Sequence, residues 1–290
     1  MYVHGDNLIQ KETHKNKYLD EVSCQYLREI REKYEVWKLE NEKLKGPYVK
    51  TRKTDNTIIK QRVALFNEYK DFIDQQHYAE KFDSRSNLHS SVLEEFVFYL
   101  FRDMVLEFSQ AALIGKAHAF KDIFFMPSSY SEMVETPNAM FEKKDHDFVI
   151  GVNINARMNC VGQEKVEEVI LQIPAIAIEC KTYLDKTMLE GSSTAAAQLV
   201  TKNPNAIYIV VAEWLKLTTQ VNLRKYKVDQ IYVLRKQKNT DREYRYAEDY
   251  VKNPVQDDVV MHLFENVRKH LTTDWESGNM IVGLERGYLL

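Results

Sequence analysis

Between residues 18 and 44 apolar side chains recur at helical spacing: Leu19, Val22, Tyr26, Leu27, Ile30, Tyr34, Trp37 and Leu39, with charges between them. That period predicts an amphipathic helix. Gly46-Pro47 predicts its end, since Gly tolerates a C-terminal cap and Pro cannot continue the ladder. A second helix is predicted over 57–73, carried by Val63, Leu65, Phe66, Tyr69, Phe72 and Ile73. Ser84-Arg85-Ser86-Asn87 offers cap residues for a helix over 88–108. That stretch is apolar on most of its circumference, so it is expected to be buried.

The period then changes. Residues 147–155 (DFVIGVNIN) and 169–180 (VILQIPAIAIEC) read as strands bounded by turn formers. Gly191-Ser192-Ser193-Thr194 is expected to open an Ala-rich helix over 195–200, ended by Pro204-Asn205. Residues 206–212 (AIYIVVA) and 231–234 (IYVL) complete the pattern as buried strands. The order is helix, strands, helix, strand, strand. It predicts an α/β core with helical additions at its front and C-terminal end.

Composition removes several classes. The 290 residues are 44% hydrophobic and 29% charged, enough apolar material for a sizeable core and too much for a disordered chain. No apolar run approaches the ~18 residues that span a bilayer. The start, MYVHGD, lacks a basic segment followed by an apolar one, so no signal peptide is expected and the cytoplasm is the expected location. Cys24, Cys160 and Cys180 form no CxxC pair, which argues against a disulfide framework or a zinc site and fits a reduced compartment.

A net charge of −3 is silent on nucleic acid, because distribution decides. Two segments are basic. Residues 43–62 carry Lys43, Lys45, Lys50, Arg52, Lys53, Lys60 and Arg62 against Asp55. Residues 216–245 carry Lys216, Arg224, Lys225, Lys227, Arg235, Lys236, Lys238, Arg242 and Arg245, interleaved with Tyr226, Tyr232, Tyr244 and Tyr246. Each reads either as a solvated surface or as a phosphate-contacting one. In the second reading every neutralised phosphate releases counterions.

The chemistry is expected at Glu179-Cys180-Lys181, which ends an apolar strand. Strand alternation points Glu179 and Lys181 to the same side. A charge there is costly unless it is paired or bound to a metal. Asp147 stands directly ahead of another apolar strand, so neighbouring strands can bring it beside Glu179. Two such carboxylates repel unless a cation lies between them, and hard oxygen ligands suit Mg2+. A structural Glu–Lys ion pair is the competing reading. Glu142-Lys143-Lys144 follows no apolar strand and reads as surface.

Asp147 followed by Glu179-Cys180-Lys181 resembles the PD-(D/E)xK nuclease signature, over about residues 84–235. The resemblance implies a mixed four-stranded sheet flanked by helices. It also implies an N-terminal helical region over 1–83 for DNA recognition or dimer contacts, and a C-terminal extension over 236–290 packed on the core. The residue before Asp147 is His146 rather than Pro, which leaves Asp145 as a competitor. The resemblance makes Asp147, Glu179 and Lys181 catalytic. It makes Asp147, Glu179 and the main-chain carbonyl of Cys180 metal ligands for Mg2+. A Glu on the preceding helix often completes such a site. Glu94 and Glu95 are adjacent, so only one can face it, and the expectation here is Glu95. Gln198 is a further candidate for DNA contact, together with Lys50, Arg52, Lys53, Arg224, Lys225 and Lys227. Tyr183 is a candidate for phosphate.

Within that superfamily the chain looks most like a type II restriction endonuclease. His4-Gly5-Asp6-Asn7-Leu8 and Lys144-Asp145-His146-Asp147-Phe148 are similar to the BbvCI and Bpu-ten-I group. The expected activity is sequence-specific cleavage of double-stranded DNA to 5′-phosphate and 3′-hydroxyl ends, by a homodimer or with a second related subunit. A structure-selective repair or junction nuclease and a catalytically inactive DNA-binding protein are the alternatives.

Overall fold

Five strands in the order β1-β2-β3-β4-β5 form one mixed sheet in a computed structural model of the chain. The structure describes residues 2–82, 87–238, 249–275 and 280–287. The N-terminal part is helical: α1 (Val3–Glu12), α2 (Glu21–Lys43), α3 (Asp55–Ile73), the short α4 (Gln76–Lys81) and α5 (Leu88–Phe108). Then come β1 (Leu113–Phe125), α6 (Tyr130–Glu135), β2 (Ala139–Met158), β3 (Glu167–Leu184), α7 (Lys186–Lys202), β4 (Ile207–Leu215) and β5 (Gln230–Val233). Helices α8 (Asp257–Thr272) and α9 (Met280–Arg286) follow. No helix among the described residues is long and apolar enough to cross a membrane.

Local chemistry sets the boundaries. The Asp20 carboxylate accepts from Ser23 N at 3.0 Å and starts α2. Asp185 does the same for α7 through Met188 N, at 2.8 Å. That cap places the start of α7 upstream of the expected Gly191–Thr194, which lies inside the helix. Of the cap residues expected for α5, Ser84, Arg85 and Ser86 lie outside the described residues. Asn87 takes a left-handed φ of 58° and makes no side-chain cap bond.

Strands β1, β2 and β3 run antiparallel, and β3, β4 and β5 run parallel. Helix α7 makes the crossover from β3 to β4. Alternation sorts the side chains. Phe148, Ile150, Ile176, Ile178, Ile209 and Val211 enter a large core with Phe96, Leu100 and Phe101 of α5. The same core takes in Leu8, Tyr34, Phe66 and Val267, so the N-terminal helices and α8 share it with the sheet. Val149, Ala177, Val210 and Ala212 face the other way, onto Leu189, Ala195, Ala196 and Leu199 of α7. At the β2 bulge a Cβ on Gly151 would lie 2.1 Å from the Ile173 carbonyl, so the close strand approach there requires glycine.

Two departures from the sequence reading are structural. The sheet has five strands because β1, not anticipated, pairs along β2. Two residues of the basic segments are core struts. Arg62 is buried and donates to the Leu44 and Gly46 carbonyls at 3.0 and 2.9 Å, closing the turn after α2. Arg235 is buried in a bidentate pair with Glu213, at 3.1 and 2.9 Å. Lys70 of α3 reaches the other Glu213 oxygen at 3.0 Å and Asp74 at 3.2 Å, tying the helical region to β4.

Candidate active site

Where β2 and β3 pass the start of α5, a cavity of about 420 Å3 opens. It is lined by Glu94, Lys116, Asp147, Cys180, Lys181 and Tyr183, with Asn87, Ser90, Thr182 and Met188 at its margins. The antiparallel pairing of Phe148 with Ile178 brings Asp147 alongside Glu179, and the next N–H on β3, that of Cys180, donates to Asp147 Oδ2 at 2.9 Å. Glu179 and Lys181 share a face of β3. Lys181 Nζ lies 2.5 Å from Glu179 Oε1 and 3.5 Å from Asp147 Oδ2, between the two carboxylates. The second Glu179 oxygen accepts from the Tyr208 hydroxyl at 3.0 Å. His146, in the position where the motif has Pro, is buried with its ring 5.7 Å from that of Tyr208.

The structure places the members of each of the two open pairs in different surroundings. Asp145 is exposed and pairs with His118 on the surface, while Asp147 lines the cavity. Glu94, and not the expected Glu95, faces Asp147. The Glu95 carboxylate points away, accepting from His4 N at 2.9 Å, Gly5 N at 3.2 Å, and the Tyr34 and Tyr99 hydroxyls at 3.1 Å. It caps the first turn of α1, where exposed N–H groups and the helix dipole favour an anion.

The electrostatics follow from crowding negative charge in a half-closed site. Burial, reinforced by the Asp147 carboxylate, pushes Glu94 up to about 7. Its Oε2 is buried without a hydrogen-bond partner, and Lys116 Nζ stands 3.9 Å away. Asp147 is also raised, by burial and then by Glu179. Burial lowers Lys181, but Asp147 and Glu179 outweigh it and hold the ammonium above its ordinary value. Burial pushes the Cys180 thiol well up, which leaves that side chain inert.

These residues fit a hard cation. An orphaned buried Glu94 oxygen and the Asp147 carboxylate line one cavity, Asp147 and the neighbouring Glu179 repel each other, and a divalent ion would relieve both conditions. Among the described residues no group of three or more His, Cys, Asp or Glu is drawn together as a ready metal cage. Lys181 stands between the carboxylates instead.

The remaining candidates are dispersed. Lys50, Arg52 and Lys53 are exposed on the loop between α2 and α3, with Arg52 stacked 3.8 Å over the Tyr48 ring. Arg224, Lys225 and Lys227 are exposed on the connection from β4 to β5. Gln198 is exposed on α7 and does not line the cavity. Arg242, Arg245, Tyr244 and Tyr246 lie outside the described residues. Tyr208 escaped the sequence reading because it looks like one more apolar residue of a buried strand. Its hydroxyl, which needs a partner when buried, was the available signal.

Comparison with known proteins decides the family. A family model described as the Bpu10I restriction endonuclease matches residues 85–289, more than half of the chain. The chain belongs to that family. It is thus a type II site-specific deoxyribonuclease, a class that generally uses a divalent metal. The solved structure of the native BbvCI A2B2 tetramer shares its fold, with a TM-score of 0.68 at 19% identity over 92% of this chain and 94% of that one. No curated protein matches the chain.

Proposed function

We propose that the protein is a Mg2+-dependent endonuclease, one subunit of a restriction enzyme that hydrolyses double-stranded DNA to 5′-phosphate and 3′-hydroxyl ends. The observation that carries this is the convergence of Asp147, Lys181 and the buried Glu94 on one cavity, with Glu179 paired to Lys181 beside it. Asp147, Glu179 and Glu94, with the Cys180 main-chain carbonyl, would hold the cation. Bound there, it supplies Lewis acidity toward a phosphate oxygen and the attacking water.

The chain's own groups do the rest. Lys181 keeps its proton, so its ammonium orients the water for in-line attack and offsets the charge gathering on the phosphoryl oxygens. Water's oxygen bonds to phosphorus as the bond to the 3′-oxygen breaks. The water's proton leaves to solvent and the departing 3′-oxygen gains one. Lys50, Arg52 and Lys53 on one loop, and Arg224, Lys225 and Lys227 on another, contact phosphates and fix position without reading sequence. One cavity cuts one strand. Cleavage of both needs a second site, from another copy of this chain or from a related subunit, as the BbvCI assembly has two kinds of subunit.

Lys181→Ala tests the reading. Cleavage is expected to fall at least a hundredfold, on the scale of losing one aligned electrostatic group, while DNA binding in a gel-shift assay persists. A variant that cuts at the normal rate would overturn it.

A further inference from the structure

The two oxygens of Glu179 have different keepers. Oε1 pairs with Lys181, which lines the cavity, at 2.5 Å, and Oε2 accepts from the Tyr208 hydroxyl at 3.0 Å. Tyr208 stands opposite Ala177 in the parallel pairing of β3 and β4, so its side chain runs along the sheet toward Glu179. Its backbone is clamped. Tyr208 N donates to Asp229 Oδ2 at 2.6 Å, and Asp229 N donates to the Tyr208 carbonyl at 2.9 Å. The ring is 1% exposed. His146, equally buried and next to Asp147, meets it edge-on with planes inclined at 66°.

A carboxylate turns broadly about its terminal bond, with two nearly equivalent orientations. Left alone, Glu179 could swing both oxygens onto the Lys181 ammonium. The phenol prevents this by holding Oε2 against the wall, and the His146 ring fixes the phenol. Resting on the reading of the site given above, we propose that Tyr208 is a positioning residue. It presets Glu179 to offer Oε1 to the cation, with His146 as the brace that stands where the motif has Pro.

Tyr208→Phe removes only the hydroxyl and keeps the ring. Mg2+ would be titrated into the DNA-free protein, following the melting temperature, and separately into the cleavage reaction. Half-saturating Mg2+ is expected to rise about threefold to tenfold in both titrations, the scale of one hydrogen bond's net contribution. That rise should exceed any change in the maximal rate. His146→Ala should shift it in the same direction, and His146→Phe, which restores an aromatic edge, should not.

Glu179→Gln separates the two levels of the argument. If Mg2+ stabilises the wild type no more than Glu179→Gln, the reading of the site falls, and this inference with it. If the wild type responds and Glu179→Gln does not, yet Tyr208→Phe titrates like the wild type, only the inference is overturned. A Tyr208→Phe protein with a lower melting temperature but an unmoved Mg2+ midpoint would make the tyrosine a packing residue, which also overturns it. Should Tyr208→Phe not fold, the two His146 variants decide the question on the same titration.

Discussion

Replacing Glu94 by Gln should change how the metal-free protein's stability depends on pH. Glu94 is about one-tenth exposed and its carboxyl is raised from 4.5 to about 7 by burial and by Asp147. Between those two values the folded protein keeps a proton that the unfolded chain has released. Stability therefore falls as pH rises through the window, because the folded state binds more protons. The span, at about 1.4 kcal/mol per pH unit, amounts to roughly 3 kcal/mol. For a chain of this size that is on the order of 5–10 °C in melting temperature. Glu94→Gln is neutral throughout and escapes this loss.

The assay is thermal denaturation in EDTA at about pH 4.5 and about pH 7.5, for wild type and Glu94→Gln side by side. The stability of the variant relative to wild type should grow across that interval by the stated amount. Adding Mg2+ at the higher pH should return the wild type toward its acid-side stability and do less for the variant. If the gap between the two proteins is the same at both pH values, Glu94 does not carry the buried charge assigned to it.

Lys70→Met should cost on the order of 3–5 kcal/mol by leaving Glu213 and Asp74 short of a buried partner. A fall in melting temperature under about 2 °C would contradict the strut role. Arg52→Ala and Lys53→Ala should each weaken DNA binding and lower its log–log salt slope by about one. An unchanged slope removes that loop from the phosphate-contacting surface.

Much of this was legible in the sequence because it rests on parity and contrast. Glu179 and Lys181 end an apolar strand two residues apart, and alternation alone puts them on one face. Asp147 directly precedes an apolar triplet, and antiparallel pairing brings it alongside. The choice between Glu94 and Glu95 was not legible. Helix α5 is buried on nearly its whole circumference, and both residues are buried. Periodicity therefore has no polar side to choose. What separates them is α1, more than eighty residues earlier, whose first turn claims Glu95. Arg62 and Arg235 misled for the opposite reason. Their neighbours in sequence are exposed cations, but carbonyls and a carboxylate distant in the chain draw both inward. Strand β1 was hidden because its LIGKAHAFKDIFF sequence mixes charge into the alternation, and its polar positions face outward only once β2 is beside it.

If this cavity cuts DNA with a divalent metal at a fixed sequence, plasmid cleavage reports it. The most direct measurement incubates the purified chain with supercoiled plasmid, with and without Mg2+, alongside Asp147→Ala, and sequences every new end. Mg2+-dependent breaks confined to one motif, with 5′-phosphate ends, are expected, and none from the variant; nicks restricted to one strand would indicate that the second strand belongs to a partner subunit. Equal cutting by Asp147→Ala, or by the wild type in EDTA, would contradict it.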